Sequence, residues 1–131
     1  LVNSLATSSN VNLKDDTGQP PLYYAIRNND IVVADILLNL GANIHDADRW
    51  GNCMLWRACA SGHRKMTLYL CSRGAWCDAR RPDFRYRSAL HFAHVNGFFR
   101  EVNLLVEEKS KEVKRNKKAE KEHMKTHYHS R

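Results

Sequence analysis

The sequence predicts an all-α solenoid of stacked helix-turn-helix units, with protruding hairpin loops and a basic helical tail at the C-terminus. Three observations support this prediction. One sequence segment occurs three times, each copy carries apolar stripes suited to two short helices, and basic residues accumulate at the end of the chain. A single short hairpin of helices cannot bury its own apolar stripe, so we expect the copies to stack.

The three copies begin at Asp15, Asp48 and Asp83, which are separated by 33 and then 35 positions. Leucine and alanine keep the same register in every copy: Leu22, Leu55 and Leu90, then Ala25, Ala58 and Ala93. The longer second step places two extra residues between Cys77 and Asp83. We therefore divide the chain into repeats at 15–47, 48–82 with this insertion, and 83–110.

Each copy has the local signals of a turn followed by two helices. Gly18 and Gly51 suit a tight turn with positive φ, and Pro21 suits the first position of a helix. Gly41 and Gly74 are placed to end the second helices with a left-handed residue. The apolar stripes of the first copy are Leu22, Ala25 and Ile26 on one helix, and Ile31, Ala34, Leu37 and Leu38 on the other.

The pattern D-x-x-G-x-(T)-P-L-x-x-A, followed by G-H, an apolar helix and G-A, resembles the ankyrin repeat family over roughly residues 1–108. The later copies depart from it. Cys53 and Met54 occupy the Thr-Pro positions, Tyr86 replaces the turn glycine, and Lys109 replaces the closing glycine. The resemblance implies a protein-protein interaction module without catalytic activity.

Residues 1–14 resemble the end of a preceding, truncated repeat, because Asn10, Val11 and Asn12 correspond to residues 43–45. The chain starts at Leu1 and has no signal-peptide pattern, so we interpret it as a cut from a longer protein. Its apolar runs are too short to span a bilayer. We expect an intracellular protein, cytoplasmic or nuclear.

The cysteines and histidines predict neither a cofactor nor a metal site. The four cysteines form no C-x-x-C pair, and Cys71 and Cys77 align with core positions, so we expect both to be small buried apolar residues. His63 and His91 occupy ankyrin positions whose histidines, by the resemblance, bond to nearby backbone. The string His123, His127 and His129 lacks further ligands and is interpreted as a solvated terminus. No nucleophile, base or phosphate loop can be placed on this framework, so no enzyme is expected.

The resemblance implies that partners bind the finger tips and the exposed face of the first helices. The residues at these positions are Arg27, Asn28, Arg49, Trp50, Asn52, Phe84, Arg85, Arg87 and Asn96. Trp50, Phe84 and Tyr86 lie beside arginines, a composition typical of binding hot spots. We expect a protein partner with an acidic or mixed peptide surface. The alternative is that these aromatic rings fold back against adjacent fingers, whereas Trp56 is expected to pack between helices.

The tail, residues 111–131, is expected to be helical or disordered. It carries the cluster Lys111, Lys114, Arg115, Lys117, Lys118 and Lys121. The formal net charge is +7, and residues 109–131 contribute +6 of it, from nine Lys or Arg and three Glu. The cluster is open to three interpretations: a solvated face, a nuclear-import or docking element, or an electrostatic site for nucleic acid or an anionic surface. Tyr128 is the tail's single aromatic residue, which argues against base stacking.

Overall fold

The computed structural model describes residues 7–129, and side chains as far as residue 125. Residues 1–6 of the predicted upstream repeat, the end of the tail and the side chains of His127 and His129 lie outside the described part. Between residues 7 and 129 six helices follow one another: α1 Pro21–Arg27, α2 Ile31–Asn39, α3 Met54–Ala60, α4 Arg64–Ser72, α5 Ala89–Val95 and α6 Phe99–His129. A 3-10 helix, Ala75–Asp78, follows α4, and one isolated antiparallel bridge joins Ala47 to Cys53.

The helices form three antiparallel pairs, α1 with α2, α3 with α4, and α5 with α6, and α3 lies between α1 and α5. Leu22, Leu55 and Leu90 occupy equivalent buried positions in successive pairs, with exposed fractions of 1, 0 and 8%. The predicted all-α solenoid is thereby confirmed. Truncation of such a leucine to alanine typically costs about 2–5 kcal/mol, so the burial of these leucines contributes strongly to stability. The division at residues 15, 48, 83 and 110 stays a prediction.

The helix starts explain one departure from the family pattern. Asp30 caps α2 by accepting from Val33 N at 3.1 Å. Cys53 caps α3 with sulfur, because its Sγ accepts from Trp56 N at 3.4 Å. Cys53 therefore takes over the capping role that oxygen-bearing side chains usually have at this position.

The helix ends follow the glycines. At Gly41, with φ 104°, the N–H of Ala42 bonds to Leu37 O at 2.9 Å and that of Gly41 bonds to Leu38 O at 3.1 Å. This pair of bonds is a Schellman closure, and it contains the left-handed glycine that the sequence predicts. With Lys109 in place of the closing glycine, α6 does not end there and continues to His129, so the tail is helical as far as that residue.

The prediction for Cys71 is confirmed, since its side chain is buried, but the prediction for Cys77 is wrong, since that residue is exposed. The 3-10 helix turns Ala75 and Ala79 into the core instead, both with no exposed surface. Cys77, between them, faces outward. Burial raises the pKa of the Cys71 thiol to about 12, and partial desolvation also raises the pKa of the Cys77 thiol, although Cys77 is exposed.

Two histidine predictions also differ from the structure. The side chain of His63 makes no capping hydrogen bond to α4. His91 is exposed, and its ring contacts Phe92 edge-on with 5.1 Å between ring centroids. His63 is the N-cap residue of α4, which has no side-chain cap, whereas α5 is capped by the Ser88 hydroxyl, which accepts from His91 N at 3.2 Å. Within residues 7–129, no helix combines the length and the apolar character needed to cross a membrane.

Candidate interaction surface

The loops that precede α1, α3 and α5 are three copies of one turn, which we call fingers 1, 2 and 3. In finger 2, Asp48 Oδ1 accepts hydrogen bonds from the backbone N–H of Trp50 and of Asn52, both at 2.9 Å. The same pairs of bonds in the other fingers join Asp15 to Thr17 and Gln19, and Asp83 to Arg85 and Arg87. The recurring aspartate therefore builds the turn by satisfying two backbone donors.

The fourth position of each turn needs a positive φ. Gly18 and Gly51 have φ of 81° and 84°, and Tyr86 takes the same place in finger 3 with φ 62°. A non-glycine residue in this left-handed region costs about 1–2 kcal/mol. The Tyr86 side chain is 91% exposed, so contacts within the chain do little to offset that cost.

The aromatic side chains of fingers 2 and 3 point into solvent. Trp50, Phe84 and Tyr86 are 57, 76 and 91% exposed. The alternative in which they fold back as packing is therefore wrong for Phe84 and Tyr86. The guanidinium of Arg85 lies 5.3 Å from the centre of the Phe84 ring, and that of Arg49 lies 5.1 Å from the Trp50 ring. Fingers 2 and 3 thus each present an aromatic ring covered by a cation.

Arg57 supports finger 2 from below, and sequence reasoning missed this residue. Its Nη2 atom donates to Asp48 Oδ2 at 2.9 Å, and its guanidinium lies 5.1 to 5.7 Å from the rings of Tyr23, Trp50 and Trp56. Its Nε is buried and has no hydrogen-bond partner among the described residues. The guanidinium therefore links the turn carboxylate to three aromatic rings.

A spacing of nine residues is the signal that would have identified Arg57. Tyr24 lies nine residues after Asp15 and donates its hydroxyl to that carboxylate, just as Arg57 does to Asp48. In finger 3 this position is Phe92, which has no donor. There the Nε1 of Trp56, from the preceding repeat, donates to Asp83 at 3.2 Å. Trp56 also packs edge-on against Phe92, so its predicted place between helices is confirmed.

Two of the predicted contact residues are engaged inside the molecule. Asn52 is 8% exposed and its amide faces Asp48, so burial excludes it from the surface. Arg87 is half-buried, because its Nε pairs with Asp83 at 3.1 Å and its guanidinium covers Phe92 at 5.0 Å. The hydrogen bonds of the turn draw both residues inward, which residue type alone does not reveal.

The other predicted contact residues lie at helix ends. Arg27 and Asn28 are exposed where α1 ends. Asn96 is exposed where α5 ends, but its Nδ2 donates to Cys59 O at 2.7 Å and so joins two repeats. Arg27 and Asn28 therefore belong to the exposed surface, whereas the amide of Asn96 is committed to the stacking of the repeats.

The tail forms the distal part of α6, and the side chains of residues 111–125 are all exposed. Five lysines are spaced three or four positions apart and share one face of this helix. They are Lys111, Lys114, Lys118, Lys121 and Lys125. We call this face of five lysines the lysine stripe. Arg115 and Lys117 flank it. The fold therefore turns a basic composition into a continuous row of positive charge.

Stacked helical hairpins that leave a row of finger loops exposed define a repeat scaffold for molecular recognition. A family model of ankyrin repeats in three copies matches residues 1–83. The chain belongs to the ankyrin repeat family. Ankyrin repeats are generally non-catalytic modules that bind protein partners.

Several curated proteins are similar to this chain. The nuclear factor NF-kappa-B p105 subunit of Rattus norvegicus is 31% identical over 73% of the chain and 10% of its own length. The E3 ubiquitin-protein ligase XBAT33 of Arabidopsis thaliana is 34% identical over 66% of the chain and 17% of its own length. The phosphocholine transferase AnkX of Legionella pneumophila is 32% identical over 65% of the chain and 9% of its own length. The chain thus spans less than a fifth of these relatives.

Proposed function

We propose that this chain is a non-catalytic adaptor that binds a partner protein through the tips of fingers 2 and 3. The central contacts are Trp50, Phe84 and Tyr86 with the neighbouring Arg49 and Arg85. Arg27, Asn28, Arg87 and Asn96 lie at the edge of the proposed contact area. The observation that carries the proposal is Tyr86, a fully presented aromatic side chain held in a backbone conformation that the equivalent fingers assign to glycine.

The physical support is that contacts within the described chain do little to offset the backbone strain at Tyr86. A strained residue persists when something compensates for its strain, and such residues cluster at functional sites. Within the described chain the Tyr86 ring has little to pack against. We therefore propose that contacts with a bound partner compensate for the backbone strain. Exposed tryptophan, tyrosine and arginine are also the residue types that dominate binding energy at protein interfaces.

The chemistry of this surface favours an acidic or mixed peptide segment. The guanidinium groups of Arg49 and Arg85 cover aromatic rings, and neither forms a salt bridge with another described residue. A partner carboxylate can approach such a guanidinium while apolar side chains contact the ring beneath it. We therefore propose a partner that combines acidic and apolar residues.

A selection from a displayed peptide library tests the proposal, with the intact chain as bait. A variant carrying Phe84→Ala, Arg85→Ala and Tyr86→Gly should bind the selected peptides at least about tenfold more weakly, because hot-spot truncations cost about 2 kcal/mol or more. The matched control changes two exposed apolar residues on other faces, Val32→Ala and Leu104→Ala, and should bind normally. Equal binding by the finger variant, or no selected peptide at all, would contradict the proposal.

A second candidate function rests on the lysine stripe. In it, the tail binds an anionic surface, nucleic acid or a nuclear-import receptor by electrostatic attraction. Binding through phosphate contacts weakens steeply with salt, whereas binding at the aromatic fingers depends on salt much less. Deletion of residues 109–131 should abolish the former and spare the latter. Retention of salt-sensitive binding after this deletion would rule out the tail.

We also propose an intracellular location, in the cytoplasm or the nucleus. The family resemblance supports it, and the lysine stripe supports the nuclear variant. Imaging of the tagged chain with and without residues 109–131 tests both parts. Secretion of the chain would contradict the first, and an unchanged nuclear fraction after the deletion would contradict the second.

A further inference from the structure

Three potential metal ligands meet where the first full repeat stacks on the second. His45 lies in the loop after α2, and Cys77 and Asp78 lie in the 3-10 helix after α4. The Nδ1 atom of His45 is 2.7 Å from Asp78 Oδ2 and 3.8 Å from Cys77 Sγ. The three donor atoms all lie within 4.8 Å of one another, and no other such group of three occurs among the described residues.

The donor set and its dimensions suit zinc. Imidazole nitrogen, thiolate sulfur and carboxylate oxygen are the three protein ligand types of Zn²⁺, at about 2.0–2.3 Å in a tetrahedral arrangement. Those bond lengths place neighbouring ligand atoms about 3.3–3.6 Å apart. The separation between His45 and Cys77 is already close to this value. The separation between His45 and Asp78 needs to widen by about 0.6 Å as the metal replaces the hydrogen bond.

The cluster of His45, Cys77 and Asp78 is accessible to solvent. The side chains of His45 and Asp78 are 47 and 14% exposed, and Cys77 is exposed as well. An ion from solution can therefore reach the ligands without a change of fold. Three protein ligands also leave a fourth tetrahedral position for water or for a ligand from another molecule.

Comparison with the preceding repeat shows what is unusual here. Asn12 occupies the position equivalent to His45, and its amide joins two repeats by donating to Gly41 O at 3.1 Å and accepting from Asn43 N at 2.7 Å. That link is neutral and uses backbone atoms. At His45 the corresponding contact between repeats is made by three side chains of types that serve as metal ligands. A hydrogen bond between His45 and Asp78 explains why those two side chains meet. It does not explain why the Cys77 thiol is exposed, since the equivalent residue of the previous repeat, Ile44, is buried.

We propose that His45, Cys77 and Asp78 form a binding site for a divalent transition-metal ion of the Zn²⁺ type that ties together two successive repeats. Sequence reasoning could not find this site, because its ligands are separated by 32 and 33 positions and only stacking brings them together. The ligands do not include the exposed rings of fingers 2 and 3, so the site does not depend on the proposed partner surface. Because its ligands come from two repeats, a bound ion should stabilise their contact.

Co²⁺ titration of the purified chain under reducing conditions tests the proposal, since a cobalt-thiolate bond gives a charge-transfer absorption that oxygen and nitrogen ligands do not give. The protein should carry His123→Asn, His127→Asn and His129→Asn, which remove the competing histidines of the tail. We expect the charge-transfer band in this background. We also expect Zn²⁺ to displace Co²⁺ and to raise the Tm of the chain.

Two variants identify the ligands. Cys77→Ser should abolish the band, and His45→Asn should weaken metal affinity at least about tenfold, the minimum typical of damage even to groups behind the ligands. His91→Asn changes an exposed histidine elsewhere and should leave both the charge-transfer band and the metal affinity unchanged. Both ligand variants alter exposed side chains, and circular dichroism verifies that they fold. An absent thiolate band, an affinity insensitive to both ligand variants, or binding seen only with the tail histidines present would overturn the proposal.

Discussion

The Nη2 atom of Arg57 lies 2.9 Å from the Oδ2 atom of Asp48, whose side chain is completely buried at the base of finger 2. The pair joins a loop residue to a residue of α3 and places the guanidinium under the Trp50 ring at 5.7 Å. The other carboxylate oxygen of Asp48 holds the turn. The shape of the exposed finger therefore depends on a buried charge and its partner.

Removal of the Arg57 side chain should destabilise the folded chain strongly. Arg57→Ala leaves the buried Asp48 carboxylate without its counter-charge, and breaking a buried pair in this way costs about 3 kcal/mol or more. Arg73→Ala is the matched control, because Arg73 pairs with Asp35 at 2.7 Å where both side chains are partly exposed. The control should cost less than about 1 kcal/mol. Urea unfolding measures both changes, and equal losses would show that the burial of Asp48 has no energetic weight.

Tyr86 gives a prediction in which stability and binding change in opposite directions. Tyr86→Gly relieves about 1–2 kcal/mol of backbone strain but adds up to about 1 kcal/mol of unfolded-state entropy, so we expect a gain of about 0.5 kcal/mol. Gly51→Ala makes the reverse change at the equivalent place in finger 2, where a Cβ would meet nothing within 4 Å. It should destabilise the chain by about 1 kcal/mol. Thermal unfolding checks both signs, and a loss of stability in Tyr86→Gly would mean that the ring has contacts in the free protein.

Finger 1 should be sensitive to acid. The Tyr24 hydroxyl, the backbone N–H of Gln19 and the Thr17 hydroxyl donate to Asp15 and lower its pKa from 3.8 to about 2. A folded-state pKa below the unfolded value adds stability that is fully present above about pH 4 and is lost as the pH falls through about 2. Asp15→Asn should therefore be less stable than the parent chain at neutral pH, and the difference should shrink from pH 4 towards pH 2.

The adjacent exposed Asp16 provides the comparison for this titration. Asp16→Asn changes the formal charge by the same amount in the same loop. Urea unfolding at a series of pH values should give a larger pH-dependent difference for Asp15→Asn than for Asp16→Asn, because the hydrogen bonds that lower the pKa are made to Asp15. Identical curves for the two variants would mean that the hydrogen bonds to Asp15 do not persist in solution.

The tail should contribute little to the stability of the repeats. The inner part of α6 buries Val102 and Val106, with exposed fractions of 0 and 1%, whereas residues 111–125 are exposed. Deletion of residues 111–131 should reduce helical circular dichroism but leave the Tm nearly unchanged. Val106→Ala is the positive control and should cost about 1.5 kcal/mol through two lost methylene equivalents. A large fall in Tm after the deletion would show that the distal helix contacts the body.

Much of this architecture is readable from the sequence. The recurring aspartate, leucine and alanine mark the repeats, and the positions of Gly41 and Pro21 mark helix boundaries, because these signals are local or periodic. The surface was only partly readable. Asn52 turns inward and Cys77 turns outward, since the hydrogen bonds of a turn and the register of a short 3-10 helix decide which way each side chain points.

The sequence by itself determined the repeating unit and the fact that the units must stack. The reason is that the apolar stripe of two short helices can be buried only against a neighbouring unit. What the tertiary structure alone decided is which distant residues meet. The contacts of Trp56 with Asp83, of Asn96 with Cys59 and of His45 with Asp78 join positions 27 to 37 residues apart. No local pattern encodes such distances, because they are set by how closely and at what angle one helical hairpin rests on the next.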